Sequence, residues 1–280
     1  MKFGVNTLIW TAHFDRPHLD LIPRIAAHGF DSIEIARFNW DDFPAAEIRK
    51  AAAVSGIGVL TCTAMPGLSL IHDDSAEREK AIAYLRQAVQ SCAEVGGKIL
   101  VGPLFSPVGV HYGRRRTEEE WNRQVDSLQA IVPTLEAAGV TLAVEPLNRF
   151  ETFFLNTMAD AVRMCEAVGS AKVGILYDTF HANIEEKSQA FAIHTAGKWI
   201  THVHTCENDR GIPGSGHIEW PDVFTALKEI GYAGTCSIES FGFRIPELIA
   251  PACIWRDFAP TPESIAWEGL PFLKRTLAGT

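Results

Sequence analysis

Thr141-Leu142-Ala143-Val144-Glu145 is a short, largely apolar run that ends on a carboxylate. It follows Gly139, a residue type that stops a helix just before the chain turns into the next strand. Three other runs have the same form: Val173-Gly174-Ile175-Leu176-Tyr177-Asp178, Ile200-Thr201-His202-Val203-His204 and Thr235-Cys236-Ser237-Ile238-Glu239. An ionisable group at the end of a buried strand is costly to desolvate unless something pairs with it. Four such ends, about thirty residues apart, predict strands whose C-terminal ends converge on one cation.

Further strands are predicted over Phe3–Thr7, Ser32–Ala36, Val59–Ala64 and Lys98–Gly102. Helical stretches alternate with the strands: Leu19–His28, Pro44–Ser55, Ser75–Val95, Thr117–Ala138, Thr157–Val168 and Trp220–Ile230. Several of these stop at glycine (Gly29, Gly56, Gly96, Gly231), and Thr117 with Glu120 reads as a capping box. Thr261–Leu277 reads as a closing helix. Eight strand–helix units in 280 residues, with no linker or composition break, predict a single α/β domain over 1–280, a (β/α)8 TIM barrel. An open doubly wound sheet is the alternative, but no glycine-rich loop follows the first strand.

The composition narrows the function. At 47% hydrophobic and 21% charged residues the chain can bury a full core. A formal net charge of −9 leaves no basic stripe for nucleic acid or an anionic membrane. The six cysteines form no C-x-x-C pair, which fits buried free thiols in a reducing compartment. No apolar run approaches the ~20 residues of a membrane span, and the first residues do not read as a signal peptide. A cytoplasmic protein is expected.

Three carboxylates and one imidazole make an oxygen-rich ligand set, suited to Mn²⁺, with Co²⁺ or Mg²⁺ as alternatives. The set is Glu145, Asp178, His204 and Glu239. Asp178 precedes Thr179 and has a second reading as a helix N-cap. His202 points to the same side as His204 but one layer deeper, so His204 is the expected ligand. Glu34 also faces inward, to orient His202 or a ligand, or to touch a substrate. Arg114–Arg116 reads as a solvated basic run, and Gly214–Gly216 as a loop over the barrel mouth. Trp10, Met65, Phe105 and Trp255 are candidates for an apolar wall around a ligand, or for plain core.

Four segments carry a family resemblance. They are Ala143-Val144-Glu145-Pro146-Leu147-Asn148-Arg149-Phe150-Glu151, Asp178-Thr179-Phe180-His181-Ala182-Asn183-Ile184-Glu185-Glu186, the run from His202 to Gly211 (H-V-H-T-C-E-N-D-R-G), and Ile238-Glu239-Ser240-Phe241. Together they resemble the ketose 3-epimerases: D-tagatose, D-psicose (D-allulose) and L-ribulose 3-epimerases of the xylose-isomerase-like barrel superfamily. The likeness runs from the first strand to near Trp255-Arg256-Asp257.

It implies a metal-dependent isomerase that inverts C3 of a free ketohexose or ketopentose. Glu145, Asp178, His204 and Glu239 match the family's metal ligands, and Glu145 and Glu239 its acid/base pair. Glu151, His181 and Arg210 match its substrate-holding residues. It further implies a monosaccharide substrate and a homo-oligomer, dimer or tetramer. The mouth segments Ala64-Met65-Pro66 and Gly102-Pro103-Leu104 follow no assignable pattern, so the preferred ketose stays open. The alternatives are an aldose–ketose or hydroxypyruvate-type isomerase, or a keto-inositol isomerase or dehydratase, on the same site. A multi-zinc endonuclease on this barrel would need more histidines and a basic surface. A non-catalytic sugar-binding barrel would not need the pair Glu145 and Glu239.

Overall fold

Strands of four to six residues have no stability alone and must pair. In the computed structural model, which describes all 280 residues, eight of them pair in parallel around a closed ring. In ring order they are β1 (Lys2–Asn6), β2 (Ser32–Ala36), β3 (Gly58–Cys62), β4 (Ile99–Gly102), β5 (Thr141–Val144), β6 (Val173–Asp178), β7 (Ile200–His204) and β8 (Thr235–Ile238). The connecting helices are α1 (Leu21–Ala27), α2 (Ala45–Ser55), α3 (Ser75–Glu94), α4 (Glu118–Ala138) and α5 (Met158–Val168). A pair, α6 (Thr179–Glu185) and α7 (Gln189–Ala196), links β6 to β7, and α8 (Trp220–Glu229) leads to β8. The chain ends with α9 (Pro246–Ile249) and α10 (Pro262–Gly279). This is the TIM barrel expected from the alternation, with strand ends displaced by at most two residues. The α6–α7 pair adds to the helices expected from the sequence. No helix is long and apolar enough to cross a membrane.

The outward faces of the strands (Ile33, Ile35, Leu100, Val203) meet helix residues such as Leu85, Leu128 and Leu227 in a continuous core. Each fully buried aliphatic side chain contributes about 1.5–3 kcal/mol, and this shell sustains a polar interior. All six cysteines are free; five are buried as expected, and Cys253 is exposed. The capping box at α4 forms as expected: Glu120 N–H donates to Thr117 Oγ1 at 3.2 Å, and Thr117 N–H donates to Glu120 Oε2 at 2.8 Å. The basic run before it is not simply solvated. Arg114 donates to both Glu120 oxygens at 2.7 and 3.0 Å, and Arg116 to both Asp160 oxygens at 2.9 Å. These arginines tie the start of α4 to α5.

Inside the ring many of the side chains are small or polar. Gly4 pairs with both Ser32 and Ser237, and a Cβ there would come 2.6 Å from Ser32 Oγ and 2.7 Å from Ser237 Oγ. An irregularity sets the facing of β7. Ile175 pairs with Ile200, but the next residue, Leu176, pairs with His202. One extra residue reverses the face of everything beyond it. His202 and His204 thereby stand in register with Leu176 and Asp178 instead of with Tyr177.

Candidate active site

Strands β5 to β8 carry Glu145, Asp178, His204 and Glu239 to one end of the barrel. Their ligand atoms lie within 4.8 Å of one another, and all four residues are buried. Glu145 Oε1 and His204 Nδ1 have no hydrogen-bond partner. Bare buried acceptors of this kind are costly, and a divalent cation at their common point would satisfy both. Three carboxylates with one imidazole form a donor set suited to a hard cation such as Mn²⁺, Mg²⁺ or Co²⁺. The residues present therefore fit a metal ion.

The two readings of Asp178 are one geometry. Its Oδ1 accepts the Phe180 N–H at 2.7 Å and caps α6, which leaves Oδ2 for the cluster, 3.7 Å from His204 Nδ1. His204 is oriented from behind. Its Nε2 lies 2.8 Å from Glu34 Oε1, while His202 Nε2 lies 2.7 Å from Glu34 Oε2 and Asn6 Nδ2 donates to Glu34 Oε1 at 2.8 Å. Burial pushes the Glu34 carboxyl up, but the two imidazoles outweigh it and hold it well below the usual range. An ionised Glu34 accepts from Nε2–H, so Nδ1 of His204 is the nitrogen turned to the cluster, where the surrounding carboxylates favour a proton in the place that a cation would take. His202 bonds to Glu34 rather than joining the quartet.

Glu145 and Glu239 sit in different fields. Burial, and then the Glu239 charge, push the Glu145 carboxyl well above the ordinary carboxylate range. Glu239 is as buried, but His204 and Arg210 outweigh that and hold it low. Arg210 donates from Nη1 to Glu239 Oε2 at 2.6 Å, with its guanidinium between the rings of Phe180 and Phe241. His181 is neutral, its pKa lowered by burial. Its Nδ1 accepts the Asn148 N–H at 3.0 Å, so its proton sits on Nε2, 3.6 Å from Glu145 Oε1. Arg210 Nη2 lies 3.2 Å from that same Nε2. Two donors meeting without an acceptor mark a place for a ligand oxygen. Glu151 is tied to this group by Asn148, whose Nδ2 donates to Glu151 Oε1 at 2.8 Å. Asn148 was missed in the sequence although it lies inside a quoted motif, because nothing there shows that it bridges Glu151 and His181.

A cavity of about 400 Å³ opens beside Glu145, Glu151, His181, Arg210 and Glu239. Its other side is mainly apolar, with Leu8, Phe38, Ala64, Pro66, Val108 and Leu248 beside Thr63 and Glu247. The apolar wall is thus made by other residues than those expected. Met65 and Phe105 are buried in the core, Trp10 packs on its edge, and Trp255 is 75% exposed. The Gly214–Gly216 segment does not line the cavity either. Gly214 packs against Phe272 of α10.

The sequence profile of the xylose isomerase-like TIM barrel family matches residues 22–276. The chain is 37% identical over 277 residues to a probable ketose 3-epimerase of Synechocystis, covering 99% of this chain and 96% of that protein. It is 34% identical to the L-ribulose 3-epimerase of Mesorhizobium japonicum, over 97% of this chain and 93% of that one. The solved structure of an L-ribulose 3-epimerase superposes with a TM-score of 0.94 at 31% identity, covering 99% of this chain and 95% of that one. The chain belongs to the xylose isomerase-like TIM barrel family, among its ketose 3-epimerases. It is an enzyme of the carbohydrate epimerase type.

Proposed function

We propose that this enzyme, a single unit over residues 1–280, inverts C3 of a free ketohexose or ketopentose with a divalent metal ion and two carboxylates. The observation that carries this reading is the pair Glu145 and Glu239, at the ends of strands β5 and β8, in one cation-suited cluster, Glu239 held by Arg210 at 2.6 Å and Glu145 Oε1 without a partner. The C3 proton of a 2-ketose lies next to a carbonyl and is only weakly acidic. Glu145, Asp178, His204 and Glu239 would hold the ion, with Mn²⁺ the first choice. When bound, the ion supplies Lewis-acid stabilisation of the negative charge that develops on the ketose oxygens.

The protein's own groups move the protons. One carboxylate, ionised, takes the C3 proton from its face of the sugar; the other, protonated, returns a proton to C3 from the opposite face. Which of Glu145 and Glu239 acts first depends on the face of the sugar that carries the C3 proton. For the reverse epimer the roles exchange. Each turnover leaves the pair with its proton on the other partner, and exchange through the cavity mouth resets it. Arg210 and His181 donate to oxygens at the carbonyl end, and Glu151 accepts from a hydroxyl, which fixes the ketose for transfer.

The test is to strip the protein with a chelator and incubate it with D-fructose, D-tagatose or L-ribulose, with and without added Mn²⁺. The C3 epimer of at least one sugar is expected only with the metal. Full activity in metal-free protein would overturn the metal reading, and an aldose product would overturn C3 inversion.

A further inference from the structure

The segment between β7 and α8 holds a buried carboxylate that the reaction above leaves unused. Glu207 is 0% exposed. Instead of a cationic side chain, it binds four N–H groups. Its Oε1 accepts from Asn208 and Ile218 N–H, both at 3.1 Å, and its Oε2 from Gly214 N–H at 2.7 Å and the Trp220 indole at 3.0 Å. A buried charge without a counter-ion persists only when donors fill its lone pairs. The loop's conformation and the carboxylate therefore fix each other, and the clasp joins residue 208 to the first residue of α8.

Arg210 lies inside that clasp. Its N–H donates to the Glu207 carbonyl at 2.9 Å, and its own carbonyl accepts from Ser240 Oγ at 2.6 Å. Its φ is +60°, a region that non-glycine residues hold only where the surroundings over-determine it. From this backbone the guanidinium reaches Glu239 Oε2 at 2.6 Å.

We propose that Glu207 is a positioning residue: its carboxylate clasps the loop and so places the Arg210 guanidinium against Glu239 and the ketose. The role rests on Arg210 acting in the site as described above. No contact between Glu207 and the substrate is required. Its chemistry is that of a fixed acceptor, and it neither gives nor takes a proton in the reaction.

A double-mutant cycle tests it. The metal-loaded wild type, Glu207→Gln, Arg210→Ala and the double variant are compared by kcat/KM for C3 epimerisation, with thermal unfolding followed in parallel. Glutamine keeps the volume but turns one acceptor oxygen into an N–H₂ facing N–H donors. Alone it is expected to lower kcat/KM by roughly 10–100-fold, the effect of a misplaced group. In the Arg210→Ala background the same change is expected to cost less than about twofold, because the positioned group is gone. Equal losses in both backgrounds would show a general structural effect and overturn the proposal, as would wild-type activity in Glu207→Gln. Wild-type activity in Arg210→Ala would instead overturn the role of Arg210 itself, and the proposal with it. If Glu207→Gln does not fold, Trp220→Phe, which removes one of the four donors, takes its place in the same cycle.

Discussion

Glu145 and Glu239 are the same side chain made different by their neighbours. Arg210 and His204 hold Glu239 low, while burial and the Glu239 charge push Glu145 up. Glu145→Gln and Glu239→Gln each keep the shape and one oxygen but would remove the proposed proton carrier. Each is expected to lower kcat by roughly 10²–10⁴-fold, with metal content unchanged by elemental analysis. A variant that keeps wild-type turnover would remove that residue from the proton path. The strand-end position of both glutamates was readable because a buried apolar run has no other reason to end on a charge. Their difference was not, since it depends on Arg210 and His204, which only the folded chain brings near. Glu34 was recognised as inward-facing, yet the sequence left its partner open. The fold gives it three, His202, His204 and Asn6.

The irregular pairing of β6 and β7 turns both histidines into the barrel, and its space comes from a missing side chain. A Cβ on Gly174 would lie 2.7 Å from Thr201 Oγ1 and 2.9 Å from the Trp199 carbonyl. Gly174→Ala is expected to destabilise the protein by about 1–3 kcal/mol in denaturant unfolding, as overpacking does. Adding Thr201→Ala should recover part of that loss. Equal stability of Gly174→Ala and wild type would show that Thr201 has no fixed place there. Alternation alone put His202 and His204 on one face of β7, but that they face inward depends on pairing with β6, which no single strand encodes. The helix and strand limits were legible from glycine stops and the Thr117–Glu120 box, which are local signals. Arg114 and Arg115 are exposed, as the solvated reading expected, but the pairing of Arg116 with Asp160 joins two helices whose packing is not local.

Across the whole barrel, polarity divides by halves. Strands β5 to β8 and the segments just after them supply the ionisable lining, while the β1–β4 side contributes Leu8, Phe38, Ala64, Pro66 and Val108. Thr63, the polar lining residue on that side, already donates its hydroxyl to the Arg37 carbonyl at 2.7 Å. With the reacting end of the ketose at Arg210 and His181, as proposed, its far carbons would meet the apolar half. A 6-deoxyketohexose is therefore expected to match or exceed its parent hexose in kcat/KM, referred to the open-chain form. A site that hydrogen-bonded the missing hydroxyl would reject it by roughly 10⁴-fold, and a loss near that size would contradict this reading. The barrel was legible because eight short strands with capped helices between them admit few arrangements. The apolar wall was not, because loop residues carry no period that says which of them face a cavity. The most direct measurement of C3 inversion is incorporation of solvent deuterium. Metal-loaded protein is incubated in D₂O with L-ribulose, D-fructose or D-tagatose, and the label is followed by NMR. Two exchanging carboxylates predict deuterium at C3 of the epimeric product, with none at C1. Label at C1 with an aldose product, or a C3 epimer that carries no solvent deuterium, would contradict it.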